Sequence, residues 1–423
     1  MSVAPEWLAA QGDDAALLHF ASGAFFSEKP KRIGVAVSGG SDSMAMLHLM
    51  ARIAPQAGWT VHAITVDHGL RSESASEAQI VQNVCAALGI EHVTLDWHRT
   101  QTSGNLQDQA ARARYKLMAD WAVANVISHI TVGHTADDQA ETFIMRLARR
   151  SGLDGLAGMR HQWKQNGVSF VRPFLLHSRT ELRAYLSRNR IGWIDDPSNE
   201  NDRYDRVKTR KTLVQLKALG ISADVLTDVT LYLSQAHHAL NEYTAEIARR
   251  ILTCRNGDVI FDWIEFRRTQ PEVRRRLLIA ALRWVSGAEY PPRSMSVAEL
   301  EMAILDRKNR TLSGCKIACS EKTVTISREP AAVRSATGPT IQVWDRRWHL
   351  DGPHDPSLEV RALGETGLLS CPGWRATGVP RASLLASPAV WRDDQLIAAP
   401  VAGFNAAWTA RIVADFHSCL VSH

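Results

Sequence analysis

The sequence predicts an α/β fold, a parallel sheet with helices on both faces, followed by a helical stretch and a small β-rich module. Over the first 200 residues, short β-branched runs alternate with helical stretches, the pattern of strands joined by crossover helices. From about residue 215 to 310 the chain is mostly helical in pattern and Arg-rich, broken by Pro271 and Pro291-Pro292. Beyond Thr340 come short alternating runs, many Gly and Pro, and five tryptophans (Trp344, Trp348, Trp374, Trp391, Trp408). The boundaries that follow are 1–215, 216–330 and 340–423, with Ala331–Pro339 as a linker. Two to four domains are expected of 423 residues at roughly 100–200 each.

The elements follow in order. Ile33–Val37 is an apolar strand, and Met44–Ile53 a helix with Met46, Leu47, Met50 and Ile53 at helical spacing. Thr60–Val66 is the second strand, Ser76–Leu88 a helix stopped by Gly89, and Ile90–Trp97 the third strand. Leu106–Val126 is a long helix, His129–Gly133 the fourth strand, and Ala136–Arg150 the helix after it. Thr311–Arg328 alternates like a hairpin. Parallel sheets of this kind bind ligands at the carboxyl ends of their strands, where strand order reverses.

Composition narrows the function classes. The chain is 45% apolar and 22% charged, too apolar for a disordered protein. The most apolar stretch, Leu396–Ala410, carries Pro400 and Asn405 and falls short of the roughly 18 residues a membrane helix needs. Glu6, Asp13 and Asp14 stand where a secretory signal carries positive charge. Six dispersed cysteines without a C-x-x-C fit thiols in a reducing, cytoplasmic setting. A net charge of +5 permits a polyanionic partner without requiring one.

The chemistry concentrates in Ser38-Gly39-Gly40-Ser41-Asp42-Ser43, between the first strand and its helix. Adjacent glycines allow a sharp bend and close backbone approach to a ligand. Outward-pointing amides at a helix start attract anions, and three serine hydroxyls add donors. Asp42 beside a phosphate calls for a cation between them, which points to Mg²⁺. No lysine closes the loop, so it is not the G-x-x-x-x-G-K-[ST] motif. The alternative is a Ser-capped strand-to-helix turn. The hexapeptide resembles the S-G-G-x-D-S signature of the PP-loop ATP pyrophosphatases, which implies a Rossmann-like PP-loop sheet. It also implies a reaction in which ATP adenylates a carbonyl oxygen and a nucleophile then displaces AMP.

A second block, Gly133-His134-Thr135-Ala136-Asp137-Asp138-Gln139-Ala140-Glu141-Thr142, ends a predicted strand and opens a helix. Spacing lets His134, Asp137 and Asp138 converge on the strand-end crevice, although paired acids in a first helical turn also serve as dipole partners. This block resembles that of the tRNA(Ile)-lysidine synthetases, one of the PP-loop families. Three further blocks share the resemblance: Val66-Asp67-His68-Gly69-Leu70-Arg71, the helix 105–115 with Arg112, and Asp196-Pro197-Ser198-Asn199 followed by Asp202, Tyr204 and Arg206. The resemblance covers about residues 30–210. It implies ATP and Mg²⁺ at Ser38–Ser43 with Asp67 nearby, Asp42 and Asp137 as metal candidates, and Asp42, Arg112, His134, Asp137 and Asp138 as the reacting set. It further implies free L-lysine and a tRNA(Ile) with a CAU anticodon as the other substrates. Two positions depart from the family pattern. Arg150 stands where a Gly is usual, and Arg206-Val207-Lys208-Thr209-Arg210 lacks the usual Asn.

Basic residues suggest where RNA would lie. Arg203–Lys217 holds six basic residues, among them Arg206, Lys208 and Arg210. Arg274, Arg275 and Arg276 belong to a second cluster with Arg267 and Arg268, and Arg307, Lys308 and Arg310 form a third. Such clusters contact phosphates or are simply solvated helix faces. The C-terminal tryptophans read as core rather than as base-stacking groups. Two rivals stand beside this reading: a tRNA-thiolating relative, which would need cysteines near the loop, and a nucleotide-sensing module without catalysis.

Overall fold

The computed structural model describes residues 12–25, 28, 30–67, 74–97, 106–195 and 205–421. They fall into two compact units, 1–237 and 238–423.

In the first unit a six-stranded sheet has the order β3-β2-β1-β4-β6-β5. Its strands are β1 (Arg32–Ala36), β2 (Thr60–Asp67), β3 (Glu91–Asp96), β4 (His129–Val132), β5 (Gln162–Gln165) and β6 (Val168–Val171). All pairings are parallel except β5 with β6. The sequence reading placed β1 to β4 and their helices within a few residues; the hairpin of β5 and β6 was absent from it.

Helices cover both faces. On one side Ser41–Ala57 buries Met44, Met46, Leu47, Met50 and Ile53 in a core that also takes Ile33 and Val35 of β1. On the other, Met118, Ala119 and Ala122 of Leu106–Ala124 pack on Ile64, Ile130 and Phe170. Because β1 is covered on both faces, it reads as a continuous apolar run rather than an alternating one. Strand order reverses between β1 and β4, and the loop 38–43 leaves β1 at that point.

The second unit holds strands as well as the expected helices. Besides the helices Pro271–Ser286 and Ser294–Leu305 it contains a five-stranded sheet, order β7-β8-β11-β10-β9. These strands are β7 (Leu252–Arg255), β8 (Asp258–Asp262), β9 (Arg310–Leu312), β10 (Cys315–Cys319) and β11 (Thr323–Arg328). The expected hairpin spans β9 to β11 of that sheet; β7 and β8 are too short for their alternation to stand out in the sequence. The segment read as a linker is structured: Pro330–Val333 is helical, Val333 is fully buried, and Thr337–Pro339 pairs with Glu359–Arg361. Trp344, Trp348, Trp391 and Trp408 are core residues, as expected. Among the described residues no helix is long and apolar enough to cross a membrane.

Arg150, one of the two departures from the resemblance, has φ +56°, just past the end of helix Ala136–Ala148. This is the left-handed position where glycine commonly ends helices. Replacing Arg150 by Gly relieves that strain, so Arg150→Gly should raise unfolding free energy by about 0.5–1 kcal/mol in urea titrations. A destabilised variant would show that Arg150 contributes a contact outweighing its backbone strain.

Candidate active site

The loop after β1 is held at both ends. Val37 N donates to Ile64 O (2.8 Å) and Thr65 Oγ1 donates to Val37 O (2.8 Å), fixing the strand exit. Ser38 N donates to Ser43 Oγ (3.1 Å), which in turn donates to Gly40 O (3.0 Å), closing the bend on the helix start. Gly39 has φ +86°, a left-handed conformation that favours glycine, and a Cβ there would also have to push aside the Ile194 Cδ1 methyl 2.6 Å away. At Gly133, after β4, a Cβ would lie 3.1 Å from the Ser43 backbone. The two predicted motifs are therefore in direct backbone contact.

A cavity of about 190 Å³ opens at this junction, lined by Ser38, Ser43, Arg114, Tyr115, Gly133 and His134 among others. The arginine that helix Leu106–Ala124 contributes to it is Arg114; Arg112, the expected one, is exposed. Arg112 and Arg114 stand two residues apart, about 200° around a helix, so they face different ways. Asp67 is half-buried at the carboxyl end of β2. His68–Arg71, Asn105, Asp196–Asn199, Asp202 and Tyr204 lie outside the described residues.

His134 is held neutral. Arg172 Nε donates to its Nδ1 (3.1 Å). Arginine only donates, so the imidazole proton sits on Nε2. Burial, with the Arg172 charge adding to it, pushes the His134 pKa down to about 3.

The acids gather around an arginine the motif reading missed. Arg179 Nε donates to Asp42 Oδ2 (2.9 Å), and Arg179 N donates to Asp137 Oδ2 (2.7 Å). Its guanidinium also lies 3.6 Å from Asp138 Oδ1 and 3.9 Å from Glu141 Oε1. Burial raises Asp42 and Glu141 above the ordinary carboxylate range, Arg179 offsetting this only in part for Asp42, as Arg210 does for Glu141. Burial works the same way on Asp138, but the Arg179 charge and the Thr135 amide outweigh it and leave Asp138 below that range. Arg183 Nε donates to Ser41 Oγ (3.2 Å).

Arg179 and Arg183 sit on helix Arg179–Arg188, opened by a capping box of Ser178 and Glu181. That Ser-x-x-Glu spacing ahead of Leu182, Tyr185 and Leu186 was the available sequence signal for this helix. Arg172, between β6 and the helix, carried none.

Of the expected RNA contacts, Arg206 and Lys208 are exposed, whereas Arg210 turns inward to Glu141 Oε1 (2.5 Å). The second cluster has partners of its own within the second unit. Arg274 pairs with Glu301 (2.7 Å) and Arg276, 8% exposed, bonds Glu272 (2.9 Å) and Asn241 (2.6 Å). Arg275 pairs with Glu272 (2.7 Å). Helix Pro271–Ser286 turns Arg274 and Arg276 toward its own unit's acids and amides, so these charges are matched internally rather than presented to phosphates.

Among the described residues no group of three or more His, Cys, Asp or Glu is arranged to hold a metal alone. Mg²⁺ does not need one, since it commonly takes one or two carboxylates plus substrate phosphates. Asp42 and Asp137 beside the loop supply such oxygens. Glu141 Oε2 is buried without a hydrogen-bond partner among the described residues, in a residue 1% exposed, and marks a site short of positive charge or donors.

This loop, at this switch point, defines a PP-loop domain, and the PP-loop domain family matches residues 15–217. A tRNA(Ile)-lysidine synthase of Ruegeria pomeroyi is 46% identical over 94% of this chain and 96% of its own length. A tRNA(Ile)-lysidine synthase of Wolbachia pipientis is 36% identical over 75% of this chain and 74% of its own. The chain belongs to the tRNA(Ile)-lysidine synthase family.

The state of His134 has a measurable consequence. The folded state keeps it neutral down to about pH 3, whereas the unfolded chain protonates it near 6.5. Between those values the unfolded state binds more protons, so stability falls as pH falls, by up to about 1.4 kcal/mol per unit. His134→Gln should lose less stability than wild type between pH 6.5 and 4.5 in urea titrations; parallel curves would contradict a neutral buried imidazole.

Proposed function

We propose that this protein forms lysidine: it joins free L-lysine to C2 of the wobble cytidine in the CAU anticodon of a tRNA(Ile), consuming ATP. The observation that carries this is the cavity where loop serines, Arg114 and neutral His134 meet, next to the carboxylates around Asp42. In the first step the cytidine O2 attacks the α-phosphorus and pyrophosphate leaves. The loop's amides and the hydroxyls of Ser38, Ser41 and Ser43 hold the phosphates, and Asp67 lies toward the nucleotide. His134, fixed by Arg172, donates from Nε2 to the phosphoryl or base oxygen where charge develops. Arg114 supplies a cation on the same wall, a role assigned above to Arg112. Mg²⁺, held by Asp42 and Asp137, would neutralise phosphate charge.

In the second step the lysine ε-amine attacks C2, the C2–oxygen bond breaks, AMP leaves and the amine proton is released. The amine must be neutral to attack, and Asp138 and Glu141 are the carboxylates placed to hold the ammonium and accept its proton. Arg206 and Lys208 are the exposed basic residues fitted to the tRNA backbone.

Sulfur transfer is disfavoured by a specific observation. Cys85 is the sole cysteine in the first 250 residues, is fully buried in the core, and has its thiol pushed up to about 11 by burial.

Radiolabelled lysine should enter tRNA only when ATP is supplied, with pyrophosphate released. Asp42→Ala should cut the rate on the order of a hundredfold or more while the protein stays folded. No lysine incorporation by the wild type would reject the reading; full activity of the variant would remove Asp42 from the machinery.

A further inference from the structure

The geometry points to Arg179 as an internal counter-cation that occupies the carboxylate cluster without nucleotide and leaves it when a divalent cation arrives. The inference rests on the reading that Asp42 takes that cation. Arg179 bonds Asp42 at 2.9 Å and lies within 4 Å of Asp138 and Glu141. Those three side chains are only 17%, 8% and 1% exposed. Three clustered carboxylates shielded from water repel one another strongly unless a positive charge sits among them. Arg179 supplies it from the first turn of a capped helix, anchored by its own amide on Asp137.

Two features argue against a permanent clamp. Arg179 Nε occupies Asp42 Oδ2 and the Ser41 hydroxyl donates to Oδ1, so a phosphate-bound cation at Asp42 competes with Arg179 for the same carboxylate charge. The carboxylates also remain incompletely served, since Glu141 Oε2 has no partner among the described residues. A side chain on a long, flexible stem is suited to exchange, as Arg179 can swing toward incoming phosphates and keep a charge-assisted contact there. It acts through Asp42 and its neighbours and is therefore a positioning residue.

The test uses Mn²⁺ as a spectroscopic stand-in for Mg²⁺ on the whole protein without nucleotide, lysine or tRNA. Electron paramagnetic resonance titration should show Arg179→Ala and Arg179→Gln binding Mn²⁺ at least about tenfold more tightly than wild type, with Arg179→Lys close to wild type. Unchanged or weaker binding in a folded uncharged variant would overturn the proposal. The wild type gives a second measurement that does not depend on how the variants fold. In crystals soaked with Mn²⁺ and a non-hydrolysable ATP analogue, the Arg179 guanidinium should have left hydrogen-bond distance of Asp42, and a persisting pair would overturn the proposal. Neither measurement involves lysine transfer, so its failure is distinguishable from failure of the proposed reaction.

Discussion

The site depends on one close approach, that of the Gly133 backbone to the start of helix Ser41–Ala57. A side chain at 133 would need the space that the Ser43 backbone fills, 3.1 Å away. With hydrogen at that position, the end of β4 presses on the loop from β1. His134 then falls beside Ser38 and Ser43 around one cavity. The sheet sets this geometry: β1 and β4 pair in parallel register from Ile33 and His129 to Ala36 and Val132. Their buried residues resist movement because close-packed interiors do not deform continuously.

Electrostatics follow from that contact. Bringing the loop to the start of helix Ala136–Ala148 also brings Asp42 to Asp138 and Glu141, and burial makes such charges costly. The fold answers with arginines from outside both motifs: Arg179 on Asp42, Arg210 on Glu141 and Arg172 on His134. Arg172 can only donate and therefore sets the histidine tautomer. The groups proposed to react are thus held in fixed partnerships before any substrate arrives, the arrangement that lowers reorganisation at the moment of reaction.

The parts that carry their physics locally were legible in the sequence. Ser38–Ser43 and Gly133–Thr142 announce themselves because each is a local motif at a strand-to-helix junction, where residue type and spacing alone suggest an anion or cation site. Strands β1 to β4 were legible because each is a short run containing β-branched residues and is followed by a helix. Arg172, Arg179 and Arg183 were not, because an arginine in a sequence does not disclose which carboxylate it will meet across the fold. The same reason led Arg274 and Arg276 to be read as an RNA surface, when Glu272, Glu301 and Asn241 fold against them. On helix Leu106–Ala124, helical phase turns Arg114 to the cavity and leaves Arg112 exposed, a difference the motif alone could not supply. Strands β7 and β8 of the second unit escaped notice because runs of four and five residues leave little alternation to read.

The most direct measurement of the central claim is ATP affinity in Gly133→Ala, by isothermal titration beside a thermal melt. One added methyl at a backbone contact has nowhere to go without moving the loop, and overpacking of this kind costs about 1–3 kcal/mol. The account predicts ATP binding weakened on the order of tenfold or more in a protein that still unfolds cooperatively. Wild-type affinity in that variant would contradict it, because the loop would then hold its shape without the strand end.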